Sequence, residues 1–101
     1  MALEFREGWI TFPAATGRRQ RASRTVTFSG TINAYQVALK GYNIRYDDTA
    51  HHILELELDL DSTRSGNTIT VNGDFVLRDS SGNFDDPYEG WMNFVVMADV
   101  N

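Results

Sequence analysis

The sequence predicts an all-β fold, a six-stranded antiparallel β-sandwich formed as a single domain over residues 1–101. Apolar and polar residues alternate with a period of two along most of the chain, which lines one face of a strand and not of a helix. Clusters of Gly, Ser, Asn and Asp separate the alternating segments. A chain of 101 residues is long enough for one compact core and too short for two.

Six segments carry the strand pattern. In residues 52–61, four leucines alternate with four acids, and this alternation outweighs the helix propensity of Leu and Glu. The apolar parity of the third segment changes at Gly41, which predicts a β-bulge there. The last segment is apolar on both parities, which predicts burial of both its faces, by its own fold or by a neighbouring copy. The predicted strands are residues 9–13, 24–29, 35–46, 52–61, 68–78 and 91–100.

Turn signals lie between these strands. Residues 29–33 and 47–50 are predicted connections, residues 62–67 a hairpin loop, and residues 79–90 a longer loop. Most of the large aromatic residues fall on the apolar parity of a strand, so we expect them in the core. These core aromatics are Trp9, Phe12, Phe28, Phe75, Trp91 and Phe94.

Composition excludes several classes of protein. Cysteine is absent, which excludes disulfide frameworks, thiolate zinc sites and cysteine catalysis. Residues 1–45 carry seven cations and two acids, whereas residues 46–101 carry two cations and twelve acids. The net charge of −5 disfavours nucleic-acid binding, and no apolar run is long enough for membrane insertion. No signal peptide is expected in this chain, and both the cell exterior and a virion surface are compatible locations.

Several short motifs resemble the H-type lectins, the snail-agglutinin family. They are Gly8-Trp9 in the first strand, Arg24-Thr25-Val26-Thr27-Phe28-Ser29 in the second, and Gly73-Asp74-Phe75 in the fifth. A long third strand and an apolar last strand are also similar to the family. The resemblance implies a six-stranded antiparallel β-sandwich, homotrimers often paired into hexamers, and binding of sugars such as N-acetylgalactosamine between subunits. The family's acid after the first strand is replaced here by Thr16-Gly17-Arg18-Arg19, which puts that sugar specificity in doubt.

The loop before the last strand is the most feature-rich stretch of the chain. Its aromatic side chains would stack on a sugar, and its acids and amide would bind hydroxyl groups. Alternating oxygen ligands at Asp79, Ser81, Asn83 and Asp85 could instead hold calcium, although the EF-hand pattern fails, and a solvated turn is the third interpretation. No other cofactor is expected. The predicted ligand-binding residues here are Asn83, Phe84, Asp85, Asp86 and Tyr88.

Two charged groups of residues have several interpretations. Arg18 and Arg19 belong to a basic cluster with several possible roles. It completes a neighbouring subunit's sugar site, binds a phosphate, a sulfated glycan or an acidic partner, or forms a basic loop balanced by the acidic second half. The acids of residues 55–61 form a solvent face, pair with the arginines across the sandwich or a subunit interface, or take part in catalysis or metal binding.

The sequence therefore predicts a non-catalytic, lectin-like carbohydrate-binding module that acts as a homo-oligomer, a trimer or hexamer. No nucleophile elbow or phosphate-binding glycine loop is present, and we expect no enzyme. The alternative function is a structural or assembly subunit of a phage fibre, capsid or surface appendage with no sugar affinity.

Overall fold

The computed structural model describes residues 2–16, 19–46, 53–79 and 88–101, and within those residues the chain is all-β with no helix. The strands are β1 (Ala2–Ala15), β2 (Gln20–Thr27), β3 (Ile32–Tyr46), β4 (Ile53–Ser65), β5 (Thr68–Asp79) and β6 (Tyr88–Val100). They form two three-stranded antiparallel sheets. The predicted fold class, a six-stranded antiparallel β-sandwich, is confirmed.

Each sheet has one central strand and two edge strands. Sheet A has the order β1-β6-β3, and sheet B has the order β2-β5-β4. Consecutive strands lie in opposite sheets except β4 and β5, which form a hairpin through a two-residue turn at Gly66 and Asn67. Gly66 has φ +62°, a conformation that glycine adopts without steric cost. The predicted hairpin is confirmed, but its loop is shorter than predicted, because β4 continues to Ser65 and β5 begins at Thr68.

Two strands begin well before the predicted positions. The first half of β1 pairs with the end of β6, from Ala2 opposite Val100 to Glu7 opposite Val95. Backbone hydrogen bonds to a central strand hold this segment extended, although its charged residues interrupt the apolar pattern. Strand β2 begins at Gln20, so part of the arginine-rich segment that the sequence places in a loop belongs to a strand.

The β-bulge predicted at Gly41 is confirmed. Along β3 the pairing moves from Leu39 opposite Phe94 to Gly41 opposite Asn93, so Lys40 is an extra residue in the ladder. The shift of one residue explains why the apolar parity changes at this point of β3.

The core lies between the inner faces of the two sheets. The central strands contribute most of it, with alternate residues of β5 and β6 fully buried. Phe12 and Phe75 meet edge to face with ring centroids 4.7 Å apart. The buried hydrophobic cluster consists of Ile10, Phe12, Phe28, Ile32, Ile69, Val71, Phe75, Leu77, Tyr88, Met92, Phe94, Val96, Ala98 and Val100.

The two tryptophans are not core residues as predicted. Trp9 is 47% exposed and Trp91 is half-buried, whereas the four phenylalanines predicted to be buried are buried. Side chains alternate across a strand, and Trp9 lies between the inward-facing Gly8 and Ile10. Its indole is therefore on the outer face of sheet A.

The central strand β6 is buried on one face only within a single chain. Its inner residues are fully buried, whereas Trp91, Val95 and Met97 on its outer face are half-buried. The fold therefore covers one of the two apolar faces that the sequence shows, and leaves apolar side chains partly exposed on the other.

The molecule is an elongated rod. Its Cα extents are 52 × 19 × 16 Å, and its radius of gyration is 15.9 Å, against about 13 Å for a compact chain of this length. Among the described residues no helix could cross a membrane. The long axis follows the strands, so residues at opposite ends of one strand lie far apart.

Phe75→Ala should reduce the free energy of unfolding by about 3–5 kcal/mol, because Phe75 is fully buried and packs against Phe12 and Tyr88. Phe5→Ala is the matched control, since Phe5 is exposed on β1 and its removal should cost about 1 kcal/mol or less. Chemical denaturation at low protein concentration measures both values. Equal losses for the two variants would contradict the assignment of Phe75 to the core.

Candidate functional site

Most of the loop predicted to bind ligand lies outside the described residues. Asn83, Phe84, Asp85 and Asp86 lie outside the described residues, and so does Arg18. The same holds for Ser81, Asn83 and Asp85 of the possible calcium site, and for the side chain of Asp79. Among the described residues, no three His, Cys, Asp or Glu side chains converge on a point that could hold a metal ion. The ligand-binding role of the loop stays a prediction.

Tyr88, the last residue predicted in this loop group, lies in the core. It is 0% exposed, and its ring contacts Phe75 and Tyr46 edge to face, with centroids 5.5 and 6.0 Å away. Burial raises the pKa of its hydroxyl, partly offset by a hydrogen bond with the side chain of Gln20. A ring with no exposed face cannot stack on a sugar, so the structure places Tyr88 beneath the surface and not on it.

Arg19 is held by acids of its own chain. Its guanidinium contacts Asp74 at 2.6 Å and Glu57 at 3.2 Å on the outer face of sheet B. Hydrogen bonds first to Asp74 and then to Glu57 raise the pKa of Arg19. The ion pair between Arg19 and Glu57 crosses above Val76 on β5. Val76 lies opposite Glu57, and its side chain is buried although it points outward. The contact between Arg19 and Glu57 of the acidic row therefore lies on the outer face of sheet B, and not across the sandwich.

The acidic row on β4 faces solvent. Its four acids, Glu55, Glu57, Asp59 and Asp61, are all exposed, as expected for outward positions on an edge strand. A groove of about 390 Å³ lies nearby on sheet B, lined by Arg21, Ala22, Ser23, Asn72, Gly73 and Asp74. No aromatic side chain lines this groove.

An exposed aromatic pair lies on the other side of the molecule, on the outer face of sheet A. The rings of Trp9 and Trp91 meet edge to face with centroids 4.8 Å apart. The register puts Trp9 opposite Asn93, and Trp91 opposite Thr11 on β1 and Asn43 on β3. Because directly opposed residues share a face, these side chains form one outward surface.

A charged pair borders the aromatic pair on one side. Lys40 Nζ lies 3.0 Å from a carboxylate oxygen of Glu7, and this contact spans the sheet over β6. Hydrogen bonds from Lys40 and then from Asn93 lower the pKa of Glu7, so its carboxylate is ionised at neutral pH. The bulge in β3 places Lys40 at this position.

Asn93 and Gly41 form the surface between the two tryptophans and the Glu7–Lys40 ion pair. Asn93 is 6% exposed, and its Nδ2 donates a hydrogen bond of 3.0 Å to the carbonyl of Gly8. Gly41, opposite Asn93, has no side chain, and a Cβ at that position would meet open space. The row from Trp9 through Asn93 to Gly41 is therefore open on the β3 side.

Amide and charged groups border the other side. Arg45 donates a hydrogen bond of 2.9 Å to Asn43 Oδ1 and forms an ion pair of 2.8 Å with Glu89. The bond fixes the orientation of the Asn43 amide, so its NH₂ group is the part left to donate to a ligand.

The arrangement suits a ligand with one apolar face and a polar rim. The exposed indole offers a flat apolar surface, and the surrounding groups offer an ionised carboxylate, an ammonium group and an amide as hydrogen-bond partners. A pyranose ring has this character, because its C–H groups lie on one face and its hydroxyl groups around the edge. The residues that form this surface, called the tryptophan platform below, are Glu7, Trp9, Lys40, Asn43 and Trp91.

The tryptophan platform was not predicted from the sequence, which placed Trp9 and Trp91 in the core. One signal was present, since Trp9 has the parity of Glu7 and Thr11 and not that of Ile10 and Phe12. For Trp91 no such signal exists, because β6 is apolar on both parities. The pairing of Lys40 with Glu7 joins two residues that are 33 positions apart in the chain, and local sequence patterns do not reveal such a contact.

Comparisons with protein-family models, with curated proteins and with solved structures give no match, so the function is argued from the site alone.

The carboxyl group of Glu7 should titrate below the ordinary range of a glutamate, and Lys40→Met should move its pKa back toward that range. A lowered pKa in the folded state means that Glu7 contributes to stability at pH values above its ordinary pKa and that this contribution is lost as the pH falls. Carboxyl-detected NMR titration measures the pKa directly. The parent protein is the reference, and an unchanged Glu7 titration in the Lys40→Met variant would contradict the ion pair.

Proposed function

We propose that this chain is a non-catalytic, lectin-like carbohydrate-binding module that acts as a homo-oligomer, with its sugar on the tryptophan platform. The observation that carries the proposal is the 47% exposed Trp9 ring beside Trp91 and the Glu7–Lys40 ion pair. Contiguous exposed apolar surface rimmed by polar groups marks ligand or partner sites, and the two adjacent indoles form such a surface. The polar groups around the ring favour a sugar over a purely apolar ligand.

The loop before β6 is close to the platform in the sequence. Residue 87 joins β6 directly, and Trp91 follows three residues after the first residue of that strand, Tyr88. Phe84, Asn83, Asp85 and Asp86 therefore stay candidates for a second wall of the site. The predicted trimer or hexamer and the H-type lectin resemblance are part of the same proposal.

A shallow platform binds weakly, which gives oligomerisation a physical purpose. One face of a sugar ring covers a small area, and only the surplus over the lost freedom of motion appears as affinity. Several copies presented together raise the avidity without any new contact. The proposed function therefore needs both the platform and self-association.

Trp9→Ala should lower the affinity for the glycan by about thirty-fold, which corresponds to the roughly 2 kcal/mol of an aromatic anchor in a binding site. A glycan array with and without a chelator identifies the sugar, and titration calorimetry on the parent and the variant measures the loss. Tyr42→Ala is the control, because it removes a 48% exposed aromatic ring that lies opposite Met92, on the other face of sheet A from Trp9.

Each outcome of this experiment has a meaning. Loss in Trp9→Ala with retention in Tyr42→Ala supports the platform, and loss in Phe84→Ala alone would move the sugar to the loop. Absence of binding to every glycan, or a Trp9→Ala variant that binds as the parent does, contradicts the proposed site. Abolition of binding by the chelator would favour the calcium alternative.

A structural or assembly subunit is the second candidate function. The rod of 52 × 19 × 16 Å and the apolar residues at one end of sheet A favour it, because elongated strand-rich chains with uncovered apolar faces pack side by side in fibres. A stable oligomer with no affinity for any glycan would select this function over the lectin-like one.

A further inference from the structure

The β-sandwich is closed along one side, where the edge strands β1 and β2 lie together. The inner-face residues Ile10 and Phe12 of β1 are buried although β1 is an edge strand. Arg6 of β1 donates a hydrogen bond of 3.3 Å to the carbonyl of Thr27 on β2, and its guanidinium covers the ring of Phe28. Side chains from the two strands therefore seal this side of the core.

The opposite side of the sandwich, between the edge strands β3 and β4, is open. Leu39 and Tyr42 on β3 are 41% and 48% exposed, and Leu56 on β4 is 37% exposed. Each of the three lies opposite a buried residue of the neighbouring central strand, so its side chain is on the inner face of its sheet. The apolar side chains of this gap, called the open side below, are Val37, Leu39, Tyr42, Leu56, Leu58 and Leu60.

The open side has a defined length. At the hairpin end the two strands are bridged, since Ser62 Oγ donates a hydrogen bond of 3.1 Å to the hydroxyl of Tyr35 and Arg64 donates one of 3.0 Å to the carbonyl of Ile32. Beyond this bridge, residues 55–61 of β4 border the gap over roughly 20 Å. This length fits an extended segment of about seven residues.

Strand β4 offers a regular, unpaired edge along the open side. It pairs with β5 on one side, and no described strand pairs with it on the other. Its register with β5 has no shift from Glu55 to Ser65, whereas β3 has a bulge at Lys40, and β4 contains no proline or glycine. Such an edge is a template for another extended chain, and of the features that usually protect an edge, β4 has only charge.

The acidic row defines the charge that an added strand needs. Asp59 lies opposite another acid, Asp74, and the ion pairs of Arg19 reach Asp74 and not Asp59. Within the described chain, neither Asp59 nor Asp61 forms an ion pair. Side chains of an adjacent strand lie about 5 Å away on the same face, so lysine or arginine is favoured beside these two acids.

We propose that the open side binds an extended segment of a partner protein in which apolar residues alternate with lysine or arginine. The segment adds to the free edge of β4 as a fourth strand of sheet B. Its apolar side chains cover the leucines on the inner face of β4, and its cations pair with Asp59 and Asp61 on the outer face. Main-chain hydrogen bonds supply affinity in this mode of recognition, and alternate side chains supply specificity.

A second copy of this chain lacks the required pattern in its own edge strands of sheet B. Two β4 strands paired with each other would bring two acidic rows together, and opposed like charges destabilise a sheet. Strand β2 carries Arg21 on its outer face, but Gln20 and Arg24 lie opposite buried residues of β5, so its inner face is not apolar. Charge and apolar pattern together therefore favour a different protein.

A synthetic peptide tests the proposal directly. The probe is a fluorescein-labelled peptide of about nine residues in which valine alternates with lysine, long enough to span residues 55–61. Fluorescence anisotropy at low ionic strength measures its binding to the full chain. A peptide with glutamate in place of lysine tests the charge.

A third peptide tests the backbone pairing, because it keeps every side chain and charge but is N-methylated at two adjacent central residues. Successive N–H groups point to opposite sides of a strand, so one of the two methyl groups must face β4. The protein should bind the unmodified lysine–valine peptide at least about ten-fold more tightly than either control peptide, since both controls lose an interaction that strand addition needs.

Asp59→Lys should weaken binding of the lysine–valine peptide about five-fold, the loss expected when one exposed ion pair becomes a repulsion. Asp99→Lys is the matched control, because it makes the same change of net charge on the outer face of sheet A, opposite Leu3, and should leave the affinity unchanged. Trp9→Ala should also bind the peptide as the parent does, so this inference and the proposed sugar site succeed or fail separately.

Amide hydrogen exchange locates the peptide on the chain. With saturating peptide, every second amide of residues 55–61, those that point away from β5, should exchange at least about ten-fold more slowly. The amides of β1 and β2 should be unchanged.

Several results would overturn the proposal. Equal affinity for the N-methylated peptide would show attraction by charge alone, and so would equal binding by Asp59→Lys and the parent. Protection of another strand in place of β4, or no saturable binding up to about 1 mM peptide, also contradicts it. Protection of the β4 amides that increases with protein concentration and needs no peptide would assign the edge to a second copy.

Discussion

The packing of the inner row of β6 on the inner row of β5 fixes everything else in this molecule. Phe94 and Met92 on one strand and Phe75 and Val71 on the other are fully buried between the sheets. A slip of one residue in β6 would exchange this row for one that contains Glu89, Asn93 and Asp99, and would bury these polar side chains in the core. The register that buries Phe94 therefore also directs the remaining apolar residues of β6 outward, onto the face that carries the tryptophan platform.

The sequence was enough to predict the features that depend on local alternation. The strand of leucines and acids, the hairpin before Thr68 and the bulge at Gly41 each follow from residues close together in the chain, and the structure has all three. The sequence was not enough to predict features that depend on pairing with a strand far away in the chain. β1 extends to Ala2 because β6 pairs with it, and Tyr88 is core because it lies opposite Ala15 and Tyr46, neither of which the loop composition reveals.

The alternation in β1 carries more information than its short predicted extent suggested. Gly8, Ile10 and Phe12 point inward, where Gly8 leaves room for the ring of Phe94, and any larger side chain would collide with that ring. The intervening positions point outward and carry Leu3, Phe5, Glu7 and Trp9. One edge strand thus supplies the two most exposed of the large apolar side chains that the structure describes and, further along, the anchor of the proposed sugar site.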